Sequence, residues 1–487
     1  MPKETWKLAL PFLRIDRSRG ALEQQLYRQM RSAITDGRLP AGLRMPSSRQ
    51  FAIDLGVSRN TVLAVFERLT SEGLLQSRTG SGTFVAAVRA PRVENTTPLP
   101  LSSWAEEVEG MDEWRNAAPA PDLFPAERWA QYVSAQWRHR SLSPKSDPRG
   151  DAGLRLAIAD HVAPMSGIVC EPDNVLITSG LQQALDCIAR ALIDPGDAVL
   201  VEDPLNPLVR RSLQTARAEL VANRTDAEGM LPEFLDLTAR LAYVSASSQN
   251  PMGAALSASR QFLLIEWAKK NGVVVIENAD AAGIDTAARE SSLKMIDTRG
   301  VVLSIGSFET TLSPEVGIGY IIGTQTKITQ LAKVRSSYGT LPPAPEQRAL
   351  KEFLTRGDFA AHLKRQRQVY MERYEAFARE IQTHLGGRIV GVTKSAALRL
   401  IVWLAPDADE STLADAFHAV GLRCRPMSAL TIANPLSPAV LVDYGTIAAE
   451  TAPVLAQEIA NQLRPATGHP TPRAGREEPR RGEDRVA

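Results

Sequence analysis

MPSSRQFAIDLGVSRNTVLAVFERLTSEGLLQSRTGSGTFV, running from Met45 to Val85, decides how the chain begins to fold. Phe51, Ala52 and Leu55 put apolar side chains on one face of a short helix, and Ser47 or Ser48 stands where its N-terminal cap belongs. Gly56 ends that helix, Val57 packs the turn, and Ser58 is placed to cap a second helix. In the second helix Val62, Val65, Phe66 and Leu69 recur at three- and four-residue spacing, so one face is buried. Gly73 stops it, and Leu74-Leu75 and Thr83-Phe84-Val85 flank a Gly80-Ser81-Gly82 tip. The pattern predicts helix, turn, helix and a small hairpin, which is a winged helix-turn-helix.

Its exposed face suits DNA. A helix–glycine–helix pattern alone is common in ordinary all-α packing. Here, however, donors gather at one end of the second helix beside a glycine-tipped basic hairpin. Recognition helices contact base edges through their N-terminal residues, and the backbone amides there receive phosphates. Arg49 and Arg59 are the expected anchors, to phosphate or to guanine edges, with Ser58, Asn60 and Thr61 nearby. Gly80 and Ser81 let the wing approach the backbone or the minor groove. Upstream, Leu22, Leu26, Met30 and Ile34 repeat every four residues in a helix between Gly20 and Gly37, a stripe that packs beneath the helix-turn-helix.

The stretch resembles the winged-helix domain of the GntR regulator family. PSSR (Pro46–Arg49), LGVSRNTV (Leu55–Val62), LTSEG (Leu69–Gly73) and GSGTFV (Gly80–Val85) carry the resemblance, which covers about residues 18–88. It implies a transcriptional regulator acting on a double-stranded DNA operator.

Composition agrees. The 487 residues suggest two to four domains, and 44% hydrophobic with 23% charged residues is ordinary for a globular protein. Residues 1–88 hold 13 Lys/Arg against 7 Asp/Glu, about +6, which leaves about −5 on the remainder of a chain whose net charge is +1. A basic end on a slightly acidic body confines phosphate attraction to that end. No run of about 18 apolar residues predicts a transmembrane helix, so no membrane partner is expected. The N-terminus MPKETWKLALPFLRI lacks a signal-peptide pattern, which places the expectation in the cytoplasm. Cys170, Cys187 and Cys424 form neither a metal-ligand spacing nor a disulfide framework and are expected as buried thiols.

Residues 89–113 carry prolines and polar residues without a period and are expected to be a linker. From 114 to 463 strands and helices alternate, predicting an α/β body with a parallel sheet. Expected strands are Asn174–Ser179, Ala198–Val201, Leu241–Ser245, Val273–Glu277, Val301–Ile305 and Ile318–Ile322, with helices at Leu154–Val162, from Gly180, and at Gln261–Lys270. A long helical stretch over roughly 345–383 precedes a small C-terminal α+β subdomain built from Ala397–Leu404, a helix near Thr412–Val420 and Ala439–Tyr444. The Pro/Gly/Arg-rich residues 464–487 are expected to be a disordered tail.

This order of elements behind a GntR winged helix resembles the MocR subfamily, whose effector domain is similar to fold-type I aminotransferases. PDLFP with Trp129, GxxxLRxAIA ending at Ala159, TSGLQQALD (Thr178–Asp186), DPGDAVLVEDP (Asp194–Pro204), NPMG (Asn250–Gly253) and GSF…TLSP…GIGY (Gly306–Tyr320) carry it. The resemblance implies a site for pyridoxal phosphate. In such sites a lysine forms the Schiff base, an acid pairs the pyridinium nitrogen and an aromatic stacks on the ring. A helix start and an arginine hold the phosphate.

One of these parts, and an asparagine that aminotransferases also use, have counterparts in this chain. Ser179, Gly180, Leu181 and Gln182 open a helix directly after a strand, as a phosphate cradle does, and Asn250 stands where aminotransferases place an asparagine near the cofactor's phenolic oxygen. Elsewhere the pattern departs. The stacking tyrosine falls at Asn206, the pyridinium acid at Asn278, and a nearby tyrosine at Asp280. The family's SFSK reads Ser307-Phe308-Glu309-Thr310, so the Schiff-base lysine aligns with Thr310, and the phosphate arginine aligns with Gly317. Thr310 has no amine to form an imine, and Lys327, the nearest following lysine, lies beyond the next strand. No catalytic residue and no covalent attachment of pyridoxal phosphate are therefore expected. Noncovalent binding of that cofactor or another anion at Gly180–Gln182 stays open, and so does the alternative of a pyridoxal phosphate-dependent enzyme or cofactor-responsive regulator if it is bound. Two uses of the body are open: a dimerisation scaffold, or a pocket that receives an unidentified small-molecule effector. The resemblance implies a head-to-tail homodimer and hence two half-sites on DNA.

Overall fold

The computed structural model describes residues 13, 15–17, 21–78, 80–87, 119–138, 147–279, 292–337 and 341–463. The linker expected over 89–113 and the tail expected over 464–487 lie outside the described residues, as does Asp280. The chain divides into two compact units, Met1–Ser102 and Ser103–Ala487.

The first unit holds α1 (Leu22–Thr35), α2 (Ser48–Leu55), α3 (Arg59–Ser71) and a hairpin of β1 (Leu75–Arg78) and β2 (Gly82–Val85). Leu26, Met30 and Ile34 of the α1 stripe are buried with Phe51, Val62, Val65, Phe66 and Leu69 in one core. The Phe51 and Phe66 rings meet at 5.6 Å. Of the two serines able to cap α2, Ser47 does so, its hydroxyl accepting the Gln50 N–H at 3.2 Å. Gly56 closes α2 in the left-handed conformation at φ 64°, a geometry that favours glycine. The hairpin is broader than expected. Met45 N–H donates to Thr83 O and Val85 N–H to Leu43 O, so residues 43–45 run beside β2 as a third strand-like edge.

The second unit is built on an eight-stranded sheet. Its strands are β3 (Val175–Thr178), β4 (Ala198–Asp203), β5 (Glu219–Asp226), β6 (Gly229–Met230), β7 (Leu241–Val244), β8 (Val274–Asn278), β9 (Val302–Ser307) and β10 (Gly319–Ile322), in the spatial order β3-β10-β9-β8-β7-β4-β5-β6. β4, β5, β7, β8 and β9 are parallel neighbours, whereas β10 runs antiparallel to both β9 and β3, and β6 folds back antiparallel on β5. The expectation of a parallel sheet is thus corrected to a mixed one. Val199, Val201, Leu241 and Tyr243 join one core, while Leu200, Ala242 and Val244 join another, so both faces are covered. That is why these strands read as unbroken apolar runs.

Helices α4 (Ala126–Arg138), α5 (Ala152–Ser166), α6 (Gly180–Leu192), α7 (Pro207–Thr215), α8 (Ala258–Asn271), α9 (Leu293–Ile296) and α10 (Gln325–Ser336) surround this sheet. The expected long helix is two, α11 (Ala344–Thr355) and α12 (Asp358–Leu385), parted by Gly357 at φ 81°. A four-stranded antiparallel sheet of β11 (Ile389–Lys394), β12 (Arg399–Leu404), β13 (Cys424–Pro426) and β14 (Ala439–Asp443), ordered β11-β12-β14-β13, packs with α13 (Glu410–Ala419) and α14 (Ala452–Gln462). Cys187 and Cys424 are buried and Cys170 is half-buried. No helix among the described residues is long and apolar enough to cross a membrane.

Candidate functional site

The candidate DNA-facing end of the first unit forms where α3 begins. Ser58 caps it, accepting the Thr61 N–H at 3.0 Å and sharing a 2.8 Å hydrogen bond with the Thr61 hydroxyl. Those two side chains therefore serve the cap, while Arg59 and Asn60 are exposed. Arg59 Nε donates to Ser48 Oγ at 3.4 Å, linking the starts of α2 and α3, and Arg49 is exposed one residue further along α2. At the wing, Ser81 N–H closes the turn on Arg78 O, with Gly80 at φ 74° and both tip residues exposed.

Sequence reasoning missed two wing arginines. Arg44 lies across Gly82, where an added Cβ would stand 3.2 Å from its Nε, and Arg78 lies over the Phe84 ring at 5.0 Å. Arg78 ends β1, and Arg44 bridges to Phe84 from the edge that runs beside β2.

In the second unit the strand ends converge. Thr178, Gly319 and Ser307 are register partners across β3, β10 and β9, so the start of α6, the loop after β9 and the start of β10 meet. Gly319 is pressed against the α6 start so closely that a Cβ on it would lie 2.6 Å from the Gly180 carbonyl carbon. Ser179 N–H donates to Gln183 Oε1 at 2.8 Å, and the Gln182 amide donates to Asp186 and Ser212. Leu181 packs into the core.

Beyond the ends of β4 and β7 lies a small cleft lined by Asn206, Asn250, Arg399, Arg423, Arg425 and Asp443. Arg399 is buried and donates to Asp443 at 2.7 Å. Arg425 is the register partner of Leu441 on β14.

Asp203 joins the two sheets around this cleft. Its buried carboxylate accepts Ile432 N–H at 2.8 Å, Ala433 N–H at 3.0 Å, and both the backbone N–H and the side-chain amide of Asn434 at 2.8 Å. A second junction sets the Asn250–Gly253 turn against the end of β11, where the Ser395 hydroxyl donates to Pro251 O. Neighbouring Glu202 turns the other way, accepting the Ser245 N–H at 3.0 Å, and burial pushes its carboxyl up to about 8.

Residues 22–85 match the family described as bacterial regulatory proteins, gntR family, and residues 119–439 match aminotransferase class I and II. The probable rhizopine catabolism regulatory protein MocR of Rhizobium meliloti is 30% identical over 464 residues, 91% of this chain and 93% of its own length. The chain belongs to the GntR regulators of the MocR type. The HTH-type pyridoxine biosynthesis transcriptional regulator PdxR of Corynebacterium glutamicum is also 30% identical, over 72% of this chain and 77% of its own. The fold of the body matches the α-aminoadipate aminotransferase LysN of Thermus thermophilus with a TM-score of 0.65 at 22% identity, covering 74% of this chain and 94% of that one. This MocR-type regulator is accordingly a DNA-binding transcriptional regulator with an aminotransferase-like domain.

The residues of this regulator do not fit pyridoxal phosphate. Thr310, at the lysine position, is 1% exposed. Lys327 donates to Gly300 O, ahead of β9, whereas Thr310 follows its other end. Asn206 caps α7, accepting the Leu208 N–H at 2.9 Å, rather than offering a ring face. Asn278 donates to the Tyr243 hydroxyl at 2.9 Å. Gly317 closes a turn at φ 55° where the phosphate arginine aligns. The cradle Ser179–Gln182 exists as backbone, but the Glu309 side chain stands on it: a Cβ placed on Gly180 would lie 2.8 Å from the Glu309 carboxyl carbon.

Proposed function

We propose that this regulator reads its operator through Arg49, Ser58, Arg59, Asn60, Thr61, Gly80 and Ser81, and that its body senses a ligand and pairs two chains without performing transamination. The proposed boundaries are 18–88 for the DNA-binding domain, 89–113 for a linker, 114–463 for the effector and dimerisation domain, and 464–487 for a tail. The reading rests above all on the capped start of α3, where Ser58 fixes the helix end and leaves Arg59 and Asn60 facing outward. A head-to-tail pair presents two such helices to two half-sites.

Removing the outward guanidinium tests this. Arg59→Ala is expected to weaken operator binding by about 1–3 kcal/mol in a gel-shift titration, with α3 still folded. Unchanged affinity and unchanged sequence preference in that titration would remove Arg59 from the interface.

The burial of Thr310 supports the noncatalytic reading of the body. Titrating the purified protein with pyridoxal phosphate is expected to give no saturable near-visible band and no amino-acid-dependent turnover. A saturable band in the native chain would overturn the placement of Thr310 at the lysine position.

For the effector, the cleft around Asn206, Asn250, Arg399, Arg423, Arg425 and Asp443 favours an anionic small molecule, because three arginines against one aspartate line it. Such a ligand shifts operator affinity only by as much as it prefers one state of the protein over the other.

A further inference from the structure

Three arginines of the first unit are paired with carboxylates. Arg31 and Arg68 lie against Glu72 at 3.6 and 3.4 Å, and Arg38 lies against Asp36 at 3.1 Å. Arg44 and Arg78 are not. Both are exposed, and among the described residues neither has a carboxylate partner.

The register of the wing brings these two together. Arg78 is the partner of Gly82 across the hairpin, and Arg44 bridges to Phe84, two residues further along β2. Register partners, and residues two apart on a strand, share one face of a sheet. Arg44, Arg78, Gly82 and Phe84 therefore lie on a single face, opposite to Leu75 and Val85, which are buried in the core. The side chains show the same grouping. Arg44 Nε stands 3.2 Å from where a Gly82 Cβ would be, and the Arg78 guanidinium lies 5.0 Å from the centre of the Phe84 ring. Gly82, at φ 107°, leaves that part of the face without a side chain and so makes room for the Arg44 guanidinium.

Like charges on neighbouring strands destabilise a sheet. Phe84 gives Arg78 a cation–π contact but neutralises nothing. Two guanidinia on one face without a carboxylate are stabilised by an anion from outside the chain. The groove between the wing and α3, which Arg44 also borders, carries the exposed Glu67 on its helix wall. Glu67 turns phosphate away from that wall, which leaves the outer face of the wing as the accepting one. The pair also stands on the strands rather than at the Gly80–Ser81 tip, where it meets the backbone beside a groove and not the groove floor.

We propose that Arg44 and Arg78 form a paired clamp on the DNA backbone, binding phosphates and supplying affinity that does not depend on sequence. The inference rests on the first unit being the DNA-binding one, and it gives the wing a task separate from that of α3. Arg44 and Arg78 position the duplex, and Arg59 specifies it.

The test uses the full-length protein and two labelled duplexes of equal length, one enriched by the wild type from a randomised pool and one of unrelated sequence. Affinities are read by fluorescence anisotropy between about 50 and 200 mM salt. Arg44→Ala and Arg78→Ala are each expected to weaken both duplexes by the same factor, about ten-fold at the lower salt, and to lower the slope of log affinity against log salt by about 0.9. The double variant is expected to lose about twice that slope. Arg44→Lys and Arg78→Lys are expected to keep it, because a phosphate needs the charge whereas a guanine edge needs the bidentate fork. Arg59→Ala is the contrast, expected to weaken the enriched duplex more than the unrelated one. Loss confined to the enriched duplex in the wing variants would overturn the proposal by making the pair readers of bases. Unchanged slopes in variants that match the wild type in circular dichroism would overturn it outright. If an alanine variant does not fold, Arg44→Gln and Arg78→Gln decide by the same comparison. An Arg59→Ala protein that weakens both duplexes equally, with the wing losses present, would strike the reading of α3 and leave the clamp standing.

Discussion

In a gel-shift titration, Phe51→Ala is expected to lose operator binding by about 100-fold or more, although Phe51 touches no DNA in the proposed interface. Phe51 is 0% exposed and its ring packs against Phe66 at 5.6 Å, inside a core shared with Leu26, Met30, Val62 and Leu69. Emptying a buried phenylalanine costs about 3–5 kcal/mol. A domain of this size holds only about 0.05–0.15 kcal/mol per residue, so the loss consumes most of its stability. The recognition helix is held at its correct place only while that core exists. Calorimetry of the same variant is expected to retain the unfolding transition of the aminotransferase-like body. Operator affinity within about three-fold of the wild type, a difference under 1 kcal/mol, would show that the core tolerates the cavity and that this account of the unit is wrong.

The second large effect belongs to Asp203. Asp203→Ala removes a buried carboxylate on which four N–H donors converge from Ile432, Ala433 and Asn434. Charge-assisted bonds of this kind are stronger than neutral ones, and three backbone N–H groups would be left without their acceptor. The expected cost is about 3–5 kcal/mol, or a fall of roughly 5–10 °C in the melting temperature of the body. Asp203→Asn should fall between, because its amide offers one acceptor oxygen and no charge. A thermal scan in which Asp203→Ala melts within about 2 °C of the wild type would mean that the loop at 432–434 finds other acceptors or water.

How far the sequence carried this reading depended on where each residue's partner lies. The start of α6 at Gly180 was legible because glycine, strand end and helical period are all local signals. So were the caps at Ser58 and the left-handed Gly56, whose partners are three or four residues away. β5 was not, since ELVANRTD lies half-exposed near the end of the sheet, next to the short terminal hairpin strand β6, and reads as polar. β13 was missed because three residues carry no period. The antiparallel direction of β10, itself an expected strand, was not legible for a different reason: it depends on a tight reversal between Ser313 and Gly317, not on its own apolar residues. At the cofactor site, the substitutions themselves were legible, but their new partners were not. Asn206 as a cap rests on Leu208 two residues on, a local signal that the family pattern masked, whereas Glu309 lying on Gly180 was visible only once distant segments had met.

The carboxylate on the α6 start also bears on how this body survives in a cell. A protein whose helix start must borrow its anion from a vitamin-derived cofactor is stabilised with the logarithm of the free cofactor concentration above its Kd, and its unliganded form is the weaker one. Glu309 travels with the chain and has no dissociation constant. On the proposed reading, in which the body holds no pyridoxal phosphate, its stability is expected not to follow the supply of that cofactor.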